Sequence, residues 1–98
     1  MIVNIQSIDF KASDELIVYG EKKVSRLFRY LDTIMSCEIT LRVDNADDRA
    51  NKVADIRLVI PGNDLIATDR NQSFEAAISA AAEALERQIE KHKTKTSK

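Results

Sequence analysis

The stretch Cys37-Glu38-Ile39-Thr40-Leu41-Arg42-Val43 sets apolar side chains at every second position with polar ones between them. That is the period of a strand with one buried face and one wet face. Ala54, Ile56, Leu58 and Ile60 alternate with Asp55, Arg57 and Val59 in the same manner, and the polar, mostly acidic run from Asp44 to Arg49 reads as the loop joining the two strands. Pro61-Gly62-Asn63-Asp64 is a strong turn signal, and Leu65 to Arg70 supplies one more short strand, so these three strands predict an antiparallel meander. Ile2 to Ile8, rich in β-branched residues, predicts a strand at the start of the chain.

Two helices complete the pattern. Ser13 is a candidate N-cap, followed by Asp14 and Glu15 at the positive end of the helix dipole. Leu16, Ile17, Val24, Leu27, Phe28 and Leu31 then recur largely at spacings of three and four, which predicts one amphipathic helix reaching about Asp32. Gly20 lies inside this stripe at a cost of about 1 kcal/mol in helix propensity relative to alanine, as a close approach to a sheet would explain. Asn71 or Ser73 is placed to cap a second helix, whose stripe is Phe74, Ala77, Ile78, Ala81, Leu85 and Ile89. The expected class is α+β in the order β-α-β-β-β-α, a four-stranded, mainly antiparallel sheet with both helices on one face and the other face open to solvent.

Ninety-eight residues with 44% hydrophobic content suffice for one compact domain without disulfides or metal. No run approaches the roughly 18 apolar residues of a membrane span, and no basic segment followed by an apolar one marks a signal peptide, so a cytoplasmic protein is expected. A single cysteine, Cys37, agrees with a reducing compartment. The net charge of −1 and a pI near 5.8 lie far from the bulk basicity of a typical nucleic-acid binder. What a phosphate backbone senses is the local field, within a Debye length of roughly 8 Å at physiological salt, so the placement of charge matters more than its sum.

Cations gather in two places. At 100° per residue, Lys22, Arg26 and Arg29 share an arc opposite the first apolar stripe, flanked by Lys23, Tyr19 and Tyr30; such a set suits phosphates and exposed bases. Arg87, Lys91, Lys93, Lys95 and Lys98 crowd the end of the chain, where residues 86–98 hold five cations against Glu86 and Glu90. Spacing alone leaves both clusters open to a plainer reading, as solvated helix faces or as complements to a helix C-terminus. Glu83, Glu86 and Glu90 form a neighbouring acidic stripe, in which Glu83 and Glu90 are spaced to pair with Arg87 along the helix surface. Catalytic readings are thin: one histidine, one cysteine and two glycines allow neither a triad nor a phosphate-cradling loop. Cys37 reads as core filler, His92 as a partly buried packing residue, and Asp44, Asp47 and Asp48 as a solvated acidic loop without the glycine and terminal glutamate of a calcium site. No cofactor, metal or small-molecule substrate is expected.

Leu58-Val59-Ile60-Pro61-Gly62, then Leu65 and Ala67, then Ala76-Ala77-Ile78 and Leu85-Glu86-Arg87-Gln88-Ile89-Glu90-Lys91-His92-Lys93 resemble, in order and spacing, the ribosome hibernation promoting factor family. This family is also known as ribosome-associated inhibitor A or the sigma-54 modulation proteins. Glu21-Lys22-Lys23-Val24-Ser25-Arg26-Leu27-Phe28-Arg29-Tyr30-Leu31 is similar to the corresponding helix. The resemblance implies an RNA-binding face related in shape to double-stranded-RNA-binding domains, on one ribosome-binding domain over residues 1–93, with 94–98 as a flexible basic tail. It implies a non-enzymatic inhibitor of translation in starvation or stationary phase, lodged in the small subunit's channel where tRNA and mRNA lie. Carried over position by position, Lys22, Lys23, Arg26, Arg29, Arg87, Lys91, Lys93 and Lys95 become the rRNA contacts. Ala84 stands where the family usually has lysine, and Glu75 where it often has tyrosine. The long C-terminal extension through which longer members pair ribosomes is missing, so pairing would call on an accessory factor. The acidic pI and Ala84 sustain a second expectation, a protein-interaction module that binds a stress or transcription regulator through its open sheet face or edge.

Overall fold

β2 (Ser36–Val43) and β3 (Lys52–Val59) form the centre of the sheet in the computed structural model, which describes residues 2–45 and 49–96 and side chains as far as Lys93. Their antiparallel register sets Ile39 opposite Ile56, Cys37 opposite Leu58 and Leu41 opposite Ala54, so the alternating residues of both strands reach the same face. β4 (Leu65–Asn71) pairs antiparallel with β3, and β1 (Val3–Ser7) pairs parallel with β2, giving the order β1-β2-β3-β4. A parallel pair needs a long crossover, here the segment carrying α1 (Asp14–Ser25) and α2 (Leu27–Tyr30); α3 (Phe74–Thr96) follows β4. This is the α+β class and element order read from the sequence.

The expected single helix up to Asp32 is broken at Arg26. The Ser25 hydroxyl donates to the Lys22 carbonyl at 2.9 Å and Arg29 N–H bonds the Arg26 carbonyl at 3.1 Å, so a side chain competes for the ladder and the next turn closes over three residues instead of four. Both long helices start where a serine caps them: Ser13 Oγ accepts from Leu16 N–H and Ser73 Oγ from Ala76 N–H, each at 3.1 Å. At the other end α3 stays helical to Thr96, three residues into the stretch assigned to a tail; lysines are good helix formers and complement the negative end of the dipole.

The helices bury Leu16, Val24, Leu27, Ile78, Leu85 and Ile89 against the inner faces of Ile39, Leu41, Ile56 and Leu58. Gly20 shows how near they come. A Cβ on it would stand 3.2 Å from Ile5 Cδ1, 3.5 Å from Ile39 Cδ1 and 3.7 Å from Ile78 Cδ1, so α1 rests on β1, β2 and α3 at one point. Gly20→Leu is expected to lower stability by about 1–3 kcal/mol despite its gain in helix propensity, because the added atoms overpack this junction; urea denaturation followed by circular dichroism measures it.

The opposite sheet face is open but not charge-rich in effect. Arg42 meets Asp55 at 3.2 Å, Asp55 also accepts from the Thr68 hydroxyl at 2.7 Å, Arg57 donates to Asp64 at 2.7 Å, and Arg70 pairs with Asp44. Val53 interrupts this wet face, buried between Arg42 and Arg70 on the adjacent strands. Gln88 on α3 donates to the Ile66 carbonyl at 2.8 Å and ties that flank of the helix to β4.

Candidate nucleic-acid interface

The first cation cluster divides between two surroundings. Lys22 is exposed beside Glu21, Val18 and Val3, on the side of α1 toward the edge strand β1. Lys23 and Arg26 instead face α3, lining with Ser79, Ala82, Glu83 and Glu86 a narrow cleft of about 70 Å³. Lys23 Nζ lies 5.5 Å from the centre of the Tyr19 ring, a cation–π distance. Arg26 Nη2 stands 3.5 Å from Glu86 Oε1. Its guanidinium is held above its ordinary value, first by the neighbouring Tyr30 phenol and then by the carboxylates of Glu86 and Glu83, with desolvation opposing. Arg29 is exposed on the short turn of α2.

On α3 the charges sort by face. Neighbouring residues on a helix point 100° apart, so Glu86 and Arg87 do not share a surface. Glu83 and Glu86 turn toward α1, and Glu90 follows them, lining with Glu86, Tyr30, Ile89 and Lys93 a second cleft of about 170 Å³. Arg87 and Lys91 lie exposed on the opposite flank, the one that Gln88 fastens to β4. The eight expected contacts are therefore not one continuous patch. A cation row on α1 and α2 and another on α3 are separated by a line of carboxylates, of which Glu86 pairs across the helices with Arg26. Lys93 is exposed at the second cleft, and the Lys95 side chain lies outside the described ones.

Cys37 is fully buried, and burial, with the nearby Glu38 carboxylate adding to it, pushes its thiol up to about 12; it is protonated at neutral pH and poorly nucleophilic. His92 is half-buried on α3. Asp44 is engaged by Arg70, while Asp47 and Asp48 lie outside the described residues. Among the described residues no group of three His, Cys, Asp or Glu side chains is placed to hold a metal, and no helix is long and apolar enough to cross a membrane. Sequence reasoning missed the cleft around Tyr30. Its one signal was the acidic stripe of Glu83, Glu86 and Glu90, in which Glu86 had been given no partner.

Known proteins align along nearly the whole chain. Residues 3–97 match the family described as sigma 54 modulation protein / S30EA ribosomal protein. A ribosome hibernation promotion factor of Deinococcus radiodurans is 33% identical over 96 residues, covering 96% of this chain and 50% of the relative. A ribosome hibernation promoting factor of Azotobacter vinelandii is 33% identical over 95 residues, covering 97% of this chain and 85% of the relative. The chain thus spans about half the length of the first of these and most of the second. Among solved structures, the N-terminal domain of Thermus thermophilus Protein Y superposes with a TM-score of 0.81 at 25% identity, over 94% of this chain and 99% of that one. Sequence match and fold agree, and the chain belongs to the sigma 54 modulation protein / S30EA ribosomal protein family.

Proposed function

We propose that this protein is a ribosome hibernation factor: it docks on the small subunit, grips rRNA in the channel used by tRNA and mRNA, and blocks translation in starved or stationary-phase cytoplasm without any catalytic step. Residues 1–93 act as the docking unit, with Lys22, Lys23, Arg26, Arg29, Arg87, Lys91, Lys93 and Lys95 as the rRNA contacts. The names of the Deinococcus and Azotobacter relatives support the role. The observation that carries the choice of surface is a contrast between faces. Arg42, Arg57 and Arg70 on the open sheet face are each matched by an aspartate, whereas Lys22, Arg29, Arg87 and Lys91 on the helices form no ion pair with another described residue. Cations without an acidic partner offer phosphates their full field.

Binding of this kind releases counterions and must weaken with salt. If six to ten phosphates are touched, affinity should fall by roughly 10³- to 10⁵-fold between 50 and 200 mM monovalent salt. Sucrose-gradient sedimentation with purified small subunits measures this. Co-migration at low salt that disappears at high salt is the expected result, and absence from the small-subunit fractions at low salt would overturn the reading. Capture of ribosomal proteins from stationary-phase lysate should likewise depend on intact RNA; capture that survives ribonuclease would point to a protein-binding module instead.

A further inference from the structure

The cleft between α2 and the last turns of α3 has features that a phosphate-gripping surface does not require. Tyr30 is 42% exposed and lines the cleft beside Glu86, which pairs with Arg26 at 3.5 Å. The floor of the cleft is the fully buried Ile89, its far wall carries the carboxylates of Glu86 and Glu90, and Lys93 stands at the rim. Two carboxylates in a cleft repel phosphate but accept hydrogen bonds from amino groups. An exposed aromatic ring offers a face to another flat ring. The space, about 170 Å³, is several times the roughly 30 Å³ occupied by a water molecule, whereas the neighbouring cleft of about 70 Å³ lacks both an aromatic wall and the room.

We propose that this cleft receives one unpaired nucleobase of RNA, stacked on Tyr30, with its exocyclic amine donating to Glu86 or Glu90 and its sugar–phosphate beside Lys93. The inference rests on the reading of the helix face as an rRNA-binding surface and adds base recognition to phosphate contact. Carboxylates favour bases that present amino donors, cytosine among them. Uracil has no amino group to offer, so a pocket lined by Glu86 and Glu90 discriminates against it. The acidic line that divides the two cation rows then has a use, as the part of the surface that reads a base edge.

The chain contains two tyrosines and no tryptophan, so Tyr19→Phe leaves Tyr30 as the sole strong emitter. Titration of that variant with single-stranded oligocytidylate should quench tyrosine fluorescence to saturation, and oligouridylate should need about tenfold higher concentration. Measured instead by the anisotropy of a fluorescently labelled oligocytidylate, Tyr30→Leu should weaken binding about fivefold or more, the range of one base–aromatic stack. Tyr30→Phe, which keeps the ring but loses the hydroxyl, should bind within about twofold of the parent in the same assay. Glu86→Gln with Glu90→Gln should remove the preference for cytosine over uracil. Equal binding of the two oligomers by the parent, or undiminished binding by Tyr30→Leu, overturns the base pocket. If Tyr30→Leu also leaves small-subunit binding intact while charge reversal on α3 abolishes it, the pocket falls and the docking surface stands. If the parent binds neither oligomer nor subunit, both fall.

Discussion

Ile56→Ala should lower the stability of the folded chain by about 2–5 kcal/mol, the usual cost of emptying a well-packed core position. Ile56 is fully buried on the inner face of β3, flanked across the sheet by Ile39 on one side and Ala67 on the other. Alanine at 67 cannot swing in to fill the gap, and the junction where α1 meets Ile5, Ile39 and Ile78 is already tight. The exchange also removes a β-branched residue from a central strand, where the span of strand propensity is about 1 kcal/mol. Against a total of roughly 5–15 kcal/mol for a domain of this length, the variant is expected to lose much of its margin. In urea, the midpoint should move down by about 1 M or more with an unchanged slope. A shift of only a few tenths of a molar would mean that the helices collapse onto the vacated site.

Arg87→Glu combined with Lys91→Glu should abolish association with the small subunit while leaving the fold intact. Both side chains are exposed on the outer flank of α3 and neither forms an ion pair with another described residue, so substitution there should change stability by about 0.5 kcal/mol or little more. Hydrogen bonds to charged groups contribute about 1.5–3 kcal/mol each. Loss of two predicts affinity lower by about 10²- to 10⁴-fold, before the repulsion of the new carboxylates is counted. The slope of log affinity against log salt should shrink by roughly 1.5–2, at about 0.7–0.9 per phosphate contact. Arg57→Glu, on the opposite face and engaged with Asp64, is the matched control and should still co-sediment. Co-sedimentation of the α3 double variant at parental salt sensitivity would remove this flank from the interface.

What could be read from the chain depended on whether a signal was local. Cys37 to Val43 and Ala54 to Ile60 declare their faces by alternation, because each residue's environment is fixed by its own strand. The serine caps and the turn at Pro61-Gly62 are equally local, and both are found in place. The break at Arg26 was not legible, since it turns on one rotamer of Ser25 bonding the Lys22 carbonyl. Val53 defeated the alternation because the side chains that cover it belong to other strands. The cation clusters were visible, but their separation was not. That Glu86 meets Arg26 across the groove depends on how α1 lies against α3, and no periodicity within either helix encodes that. Tyr30 stayed at the margin of the sequence reading for the same reason.

The masked thiol of Cys37 has a practical consequence for following this protein at work. A chain whose sole sulfhydryl is enclosed in the sheet and held protonated gives maleimide reagents almost nothing to attack near neutral pH. A single new cysteine on the outer flank of α3 or at the rim of the Tyr30 cleft would then carry a fluorophore or spin label by itself, with the native residue left in place. Distances from such probes to labelled ribosomal RNA would report arrival and departure without any change to the core.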